Sequence, residues 1–423
     1  MNQIRTFLLI AWLMLAFLLW QEWGKEQLAS AQPAAPLTAS PQAAAGGVPV
    51  AGVPTTAVPQ AGSAPQAVVH QAAAKVRLRN DVLTLELDGR NLTHAELAGY
   101  RQSTAAGSNA VVLFDTDPSR LYMAEAIWRA NDGAELILQP QDDARDIRLA
   151  DGAASVQARF VATAANGMQL QRTVTLARGS YAVQVKDVLA NRGTAAWTGD
   201  IERRLERVPP VVKTGFTNPE SFSLNGAAWY SPEEKYEKRK YPDFVEDGPL
   251  NQQVTGGWVA LSQHYFLGAW VPQKDQAALF TLGARGNQYS IAARGPQVTL
   301  APGQTFSSTA TLWVGPKLAD KLDDTATGLG LAMDYGMFTV LSKPIHWLLM
   351  QLHKLTHNWG WAIVLLVVLI KLVLYPLSAA QYKSMAKMRK FQPRIQQLKE
   401  RYGDDKQKFQ MAMLDLYKKE KIN

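Results

Sequence analysis

The rhythm of apolar and polar positions changes several times along the chain, and each change marks an element. Residues 7–20, FLLIAWLMLAFLLW, form an uncharged apolar run behind Arg5. A run of this length suits the core of a cleaved signal peptide. Its flank favours a retained anchor, because the small-x-small triplet Ala29-Ser30-Ala31 lies beyond Gln21, Glu22, Lys25 and Glu26. With Arg5 at one interface and Trp20 and Trp23 at the other, about 20 residues cross the roughly 30 Å hydrocarbon layer. Residues 1–24 therefore read as an N-terminal transmembrane anchor with a cytoplasmic N-terminus. From 27 to 74 there is no Lys, Arg, Asp or Glu, and prolines at 33, 36, 41, 49, 54, 59 and 65 interrupt any period. Residues 25–74 read as an Ala/Pro/Gln-rich linker that tethers and does not fold.

A period of two then takes over. Residues 82–88 alternate as VLTLELD and residues 156–160 as VQARF. Asn166-Gly167 predicts a tight hairpin turn, supplying its positive φ angles. Leu170, Val174 and Leu176 share one face, and Tyr181, Val183 and Val185 follow after Gly179-Ser180. Further strands are predicted over 257–271 (GWVALSQHYFLGAWV), 277–282, 288–293 and 305–314. Many short strands with closely spaced turn signals predict an antiparallel β-sandwich of about 240 residues, placed at 75–318. Within it, residues 233–240 (EEKYEKRK) mix both signs and read as a solvated loop.

Between 319 and 358 the period becomes helical. Ser342 is positioned to cap a helix, with Pro344 in its first turn. Ile345, Leu348, Leu349, Leu352 and Leu355 fall on one face, which predicts an amphipathic helix lying in the outer membrane interface. Packing beneath the sandwich is the alternative. His353 and His357 have the i, i+4 spacing of a metal pair. Without a third ligand nearby, a wet polar face accounts for them better.

Residues 359–378 form the predicted second transmembrane helix. Trp359 and Trp361 anchor its outer interface, and Tyr375 with the lysines that follow marks the inner one. Its single charge is Lys371, about 18 Å along the helix from Trp359 and about 9 Å from Leu377. Two readings stand on spacing alone. Its four-carbon stem nearly reaches the cytoplasmic headgroups. It can equally be a cation facing a polar cavity, since such a charge costs roughly 3 kcal/mol against lipid. Pro376 predicts a kink beside it.

In residues 379–423, Pro393 opens a short helix with Ile395, Leu398 and Tyr402 on one face. Gly403-Asp404-Asp405 breaks and recaps the chain, and Phe409, Ala412, Met413 and Leu416 form a second stripe. The stripes can close into an αα-hairpin with basic faces exposed. Lys383, Lys387, Arg389, Arg394, Lys399, Arg401, Asp404 and Asp405 are its candidate contacts. Such a surface suits anionic lipid, ribosomal RNA or acidic protein partners.

Charge and composition sharpen the topology. The net charge is +8, and residues 379–423 alone hold 12 Lys and Arg against 5 Asp and Glu. A basic tail beside an apolar span obeys the positive-inside rule, which places 379–423 in the cytoplasm and the sandwich outside. The N-terminal anchor gives the same answer independently. The absence of cysteine excludes disulfides and thiolate metal sites. His94 and His264 stand apart in sequence from any second ligand or triad partner, and there is no phosphate loop, zinc motif or nucleophile elbow. No enzyme, cofactor or metal site is expected.

Two stretches carry a resemblance: SKPIHWLLMQLHKLTHNWGWAIVLL, and IKLVLYPLSAAQYKSMAKMRKFQPRIQQLKERYGDDKQKFQMAMLDLYKKEKIN. Together with the layout they resemble the membrane protein insertase YidC family of Gram-negative bacteria. The resemblance implies a membrane protein in which two transmembrane helices flank a large periplasmic antiparallel β-sandwich, followed by a cytoplasmic αα-hairpin. It implies insertion and folding of nascent inner-membrane proteins, alone or with the Sec translocon, and a ribosome or targeting receptor at the cytoplasmic face. It also implies a polar intramembrane groove with one cation, a position that Lys371 matches and that the family usually fills with arginine. Lysine keeps the charge and loses the planar fork, which implies a charge-based role. Tyr375 and Pro376 adjoin that groove. The family carries further spans after the hairpin, so this chain, stopping at Asn423, resembles the N-terminal part of an insertase. The alternative function is a membrane-anchored periplasmic carbohydrate- or peptide-binding sandwich.

Overall fold

Alternation of inward apolar and outward polar residues builds two sheets in the computed structural model of the chain. The structure describes residues 74–419 apart from 106, 212–214, 216–217, 337–338 and 403–404. The predicted anchor, and the linker up to residue 73, lie outside the described residues.

The first sheet has 11 strands, and its main path runs Asn251–Thr255, Ala277–Arg285, Gln288–Arg294, Trp197–Arg207, Tyr122–Ala130, Asn91–Arg101, Leu83–Leu87, Val76–Arg79, Asp146–Arg148. The second has nine, in the order Lys235–Lys240, Gly226–Ser231, Trp258–Ser262, Phe266–Pro272, Thr305–Pro316, Ala182–Asn191, Met168–Ala177, Ser155–Thr163, Gln139–Pro140. Neighbours pair antiparallel, as predicted, with one exception: Val76–Arg79 runs parallel to Asp146–Arg148. The inner faces share one core that includes Leu85, Trp128, Phe160, Val185, Trp270, Phe280 and Trp313. Hydrogen bonds stitch the faces together. The Tyr122 hydroxyl donates to the Leu261 carbonyl at 2.9 Å and Trp270 Nε1 donates to the Arg204 carbonyl at 3.2 Å. Tyr122 can lie this close because Gly268 has no Cβ, which would sit 2.3 Å from the hydroxyl.

Three local expectations are corrected. Residues 233–240 are not a solvated loop: Lys235–Lys240 is an edge strand paired with Gly226–Ser231. Its density of charged residues, five of the six, is what an edge needs to discourage pairing with another chain. The run 257–271 is two strands, parted where Gln263, His264 and Tyr265 turn the chain. At Asn166-Gly167 only Gly167 has positive φ (86°), and Ala164 accepts from Gly167 at 3.0 Å while donating to Met168 at 2.8 Å. A three-residue loop ending in a left-handed glycine matches strand twist as well as a two-residue turn does.

Five helices are described: α1 (Asp243–Glu246), α2 (Ala319–Thr325), α3 (Thr339–Thr356), α4 (Trp359–Tyr402) and α5 (Lys406–Lys419). Leu322 of α2, with Ala326, Leu329 and Ala332 after it, joins the sandwich core. The amphipathic helix α3 has no buried residue, against the alternative of packing beneath the sandwich. It begins at Thr339, so Ser342 is not its cap and Pro344 lies inside it. Proline's fixed φ suits a helix, and this early it removes only the bond to the Val340 carbonyl. Pro393 opens no new helix, because α4 runs unbroken for 44 residues through Pro376 and Pro393. Each proline removes one bond from the ladder and keeps helical φ.

Candidate functional site

The helical arm begins at an elbow. The His357 amide donates to the His353 carbonyl at 2.8 Å, and His357 itself takes φ 51°. Asn358 Oδ1 then accepts from Gly360 N at 2.9 Å and Trp361 N at 3.3 Å, satisfying two of the free amides that open α4. His353 stacks on Trp359 with ring centroids 3.8 Å apart and an interplanar angle of 18°. This occupies His353 with an indole, and no metal-holding group of His, Asp or Glu occurs among the described residues. Trp359 and Trp361 remain 50% and 66% exposed.

Apolar surface of α4 is open to the surroundings. Ile363, Val364, Val367, Val368, Leu372, Val373 and Leu377 are exposed, whereas Ala362 and Leu366 are buried. Trp359–Ala386 is the one stretch among the described residues long and apolar enough to cross a membrane. Lys371 is exposed and makes no ion pair with the described residues. Tyr375 is exposed one turn below, followed by Pro376.

The predicted hairpin stripes are the half-buried residues here: Ile395, Leu398 and Tyr402 on α4, and Phe409, Ala412, Met413 and Leu416 on α5. Asp405 caps α5, accepting from the Lys408 amide and pairing with its ammonium, both at 3.1 Å. These contacts, the backbone bond first, hold its carboxyl below the usual carboxylate range. Lys383, Arg389, Arg394, Lys399 and Arg401 are exposed, and the Arg401 guanidinium lies 5.8 Å from the Tyr402 ring centre. Asp404 and the Lys387 side chain lie outside what is described. These residues do not converge on Lys371: Arg394 is 23 residues further along the same helix, about 35 Å.

Sequence reading missed a charged network inside the sandwich. Arg172 and Asp187 are 2% and 1% exposed and form a bidentate pair, with both bonds at 2.7 Å. Arg172 also donates to the Gly89 and Ala126 carbonyls, and Trp128 Nε1 donates to Asp187 at 2.8 Å. Arg203, equally buried, reaches Ser308 Oγ at 2.8 Å, and its burial pushes its guanidinium down to about 10. The signal was present in the alternation. Arg172 falls on the inward series of Leu170, Val174 and Leu176, and Asp187 on that of Val183, Val185 and Leu189. His264 contacts Ser223 and is pushed below the usual imidazole range by burial. It lines a cleft of about 190 Å³ with Glu220, Asn225 and Gln263.

Comparison with known proteins turns this geometry into a family. Residues 75–348 match the YidC periplasmic domain, and residues 351–423 match the 60Kd inner membrane protein family. The membrane protein insertase YidC of Stenotrophomonas maltophilia (strain K279a) is 49% identical over all of this chain and 76% of its own length. That of Xanthomonas campestris pv. campestris (strain ATCC 33913) is 47% identical, with 77% of its length covered. The chain belongs to the YidC family of membrane protein insertases.

YidC membership makes this a non-enzymatic inner-membrane protein whose sandwich is a periplasmic domain. It disfavours the alternative of an anchored glycan- or peptide-binding protein, because the match runs through the helical arm as well as the sandwich. Among solved structures, a galactose mutarotase related enzyme from Lactobacillus acidophilus aligns with 57% of this chain and 97% of its own, at 8% identity and a TM-score of 0.38. That likeness is too slight to bear on fold or function.

Proposed function

We propose that this insertase moves nascent inner-membrane proteins past Lys371, the cation of a polar intramembrane groove. The observation that carries the reading is the isolation of this charge: from 359 to 382 it is the only charged residue in an otherwise apolar helix. A lone ammonium against lipid costs roughly 3 kcal/mol, which a wet cavity removes. Such a cavity also lowers the cost of desolvating a substrate's polar N-terminal region while its apolar segment passes into lipid. No bond is made or broken.

Topology follows from charge. Residues 1–24 and 359–378 are the two spans that flank the periplasmic sandwich, with 25–74 as the tether; of the stretch 319–358, the part up to Ala332 belongs to the sandwich and α3 lies at the outer interface. The N-terminus and the basic hairpin of 379–423 are cytoplasmic. At 1.5 Å per residue α4 is about 66 Å long, against about 30 Å of hydrocarbon. Its far half therefore stands in the cytoplasm and presents Lys383, Lys387, Arg389, Arg394, Lys399 and Arg401, with Asp404 and Asp405 at the turn. Anionic lipid, the ribosome or a targeting receptor suits that surface, and the Sec translocon is the partner within the membrane.

Complementation in cells depleted of their own insertase tests the groove. Lys371→Arg is expected to retain insertion of a reporter membrane protein, and Lys371→Glu to impair it. Equal insertion by the Lys, Ala and Glu forms would reduce Lys371 to a snorkelling side chain.

A further inference from the structure

The turn between α3 and α4 is held from several sides at once. His357 occupies the left-handed region, where a non-glycine side chain is strained. The Thr356 hydroxyl lies 2.9 Å from the Leu352 carbonyl and 3.0 Å from that of Asn358. Asn358 caps α4, and His353 reaches across from α3 to stack on Trp359, the first residue of α4. A flexible tether would need none of this.

The direction of α4 beyond the elbow has a consequence for Lys371. Among the described residues of α4, Ala362 and Leu366 are buried, one turn apart, and α3 packs against α4. At about 100° per residue, Lys371 lies about 180° around the helix from Ala362 and about 140° from Leu366. The buried face and the face bearing the charge are therefore opposed on one continuous helix. Rotation of α4 about its axis would uncover Ala362 and Leu366, break the ring stack and swing Lys371 by the same angle.

We propose that His353, Thr356, His357, Asn358 and Trp359 form a rigid elbow that positions Lys371, fixing the side of the span on which its charge is presented. The five lie at the head of α4 and act on Lys371 through that helix. The proposal rests on the reading of Lys371 as a groove cation, and its experiment separates the two.

The chain has no cysteine, so labels can be introduced singly or in pairs into the full chain in membranes. Spin labels on Lys343→Cys and Val364→Cys report the angle between α3 and α4. The unaltered elbow is expected to give one narrow distance distribution. His357→Gly, which tolerates positive φ, is expected to preserve it. His357→Val and Trp359→Ala are expected to broaden or shift it. In parallel, single cysteines at 370, 371, 372 and 373 are challenged with a water-soluble maleimide. Labelling is expected to peak at 371 with the elbow intact and with His357→Gly, and to lose that peak with His357→Val and Trp359→Ala. Distances unchanged in all variants overturn the elbow. Distances that change while the labelling peak stays at 371 overturn its positioning role. A flat labelling profile in the unaltered chain overturns the groove reading, and the distances still decide whether the elbow is rigid.

Discussion

The sandwich and the helical arm face one problem, a charged side chain among apolar neighbours, and meet it in opposite ways. In the sandwich Arg172 is enclosed, with Asp187 and two backbone carbonyls accepting from all three of its guanidinium nitrogens. On α4, Lys371 carries its charge outward beside an open apolar surface. A buried pair in which every nitrogen is bonded is fixed and serves a unique packing. An exposed cation without an ion-pair partner among the described residues is open to an incoming chain. The proposed activity therefore belongs with the charge left open, not with the charge most deeply buried.

The largest expected effect breaks the closed side. Asp187→Ala strands a buried guanidinium and the Trp128 N–H, and is expected to cost about 3–5 kcal/mol in unfolding free energy. Combining it with Arg172→Met should recover most of that loss in thermal or denaturant melts. If the single variant unfolds like the unaltered chain, the network is not what holds the two faces in register. Next comes Trp128→Phe, which removes one bond to a carboxylate still gripped by Arg172. It is expected to cost about 1.5–3 kcal/mol.

Lys317 gives a prediction in pH. Burial pushes its ammonium from 10.5 down to about 8. Between those values the unfolded chain binds more protons than the folded one, so this group makes stability rise with pH across that window. Melting points taken between about pH 7.5 and 9.5 should climb in the unaltered chain and flatten in Lys317→Met. A climb of equal slope in both would assign the effect to another group. The smallest effect sharpens the open side. Lys371→Ala should leave sandwich unfolding within about 0.5 kcal/mol of the unaltered chain. Any loss of insertion in that variant then belongs to the membrane step.

Much of this architecture can be read from periodicity because each region buries one face. Leu83, Leu85 and Leu87 announce a strand as plainly as Phe409, Met413 and Leu416 announce a helix. The failures have physical causes. Residues 233–240 look like a loop because an edge strand shows charge on its exposed side, and charge alone cannot distinguish an edge from a coil. Pro393 looks like a beginning because proline is common there, yet one missing bond does not break a helix as long as α4. The Arg172–Asp187 pair is hidden because sequence shows which face a residue occupies and not what stands opposite it. Lys371 is evident as a charge in an apolar run, and its orientation depends on the turn at His357, which no period reveals.

Pro376 adds something at the same depth as the lysine. Having no N–H, it deprives the Leu372 carbonyl of the partner four residues on. Water is absent from the hydrocarbon core, and an acceptor left open there seeks a donor from outside its own helix. The span thus offers a cation at 371 and, at 372, a carbonyl without its usual helical donor, separated by one residue's rise. Together they make a local thirst: a point where hydration, a neighbouring hydroxyl or a passing polar chain is drawn into an otherwise dry helix.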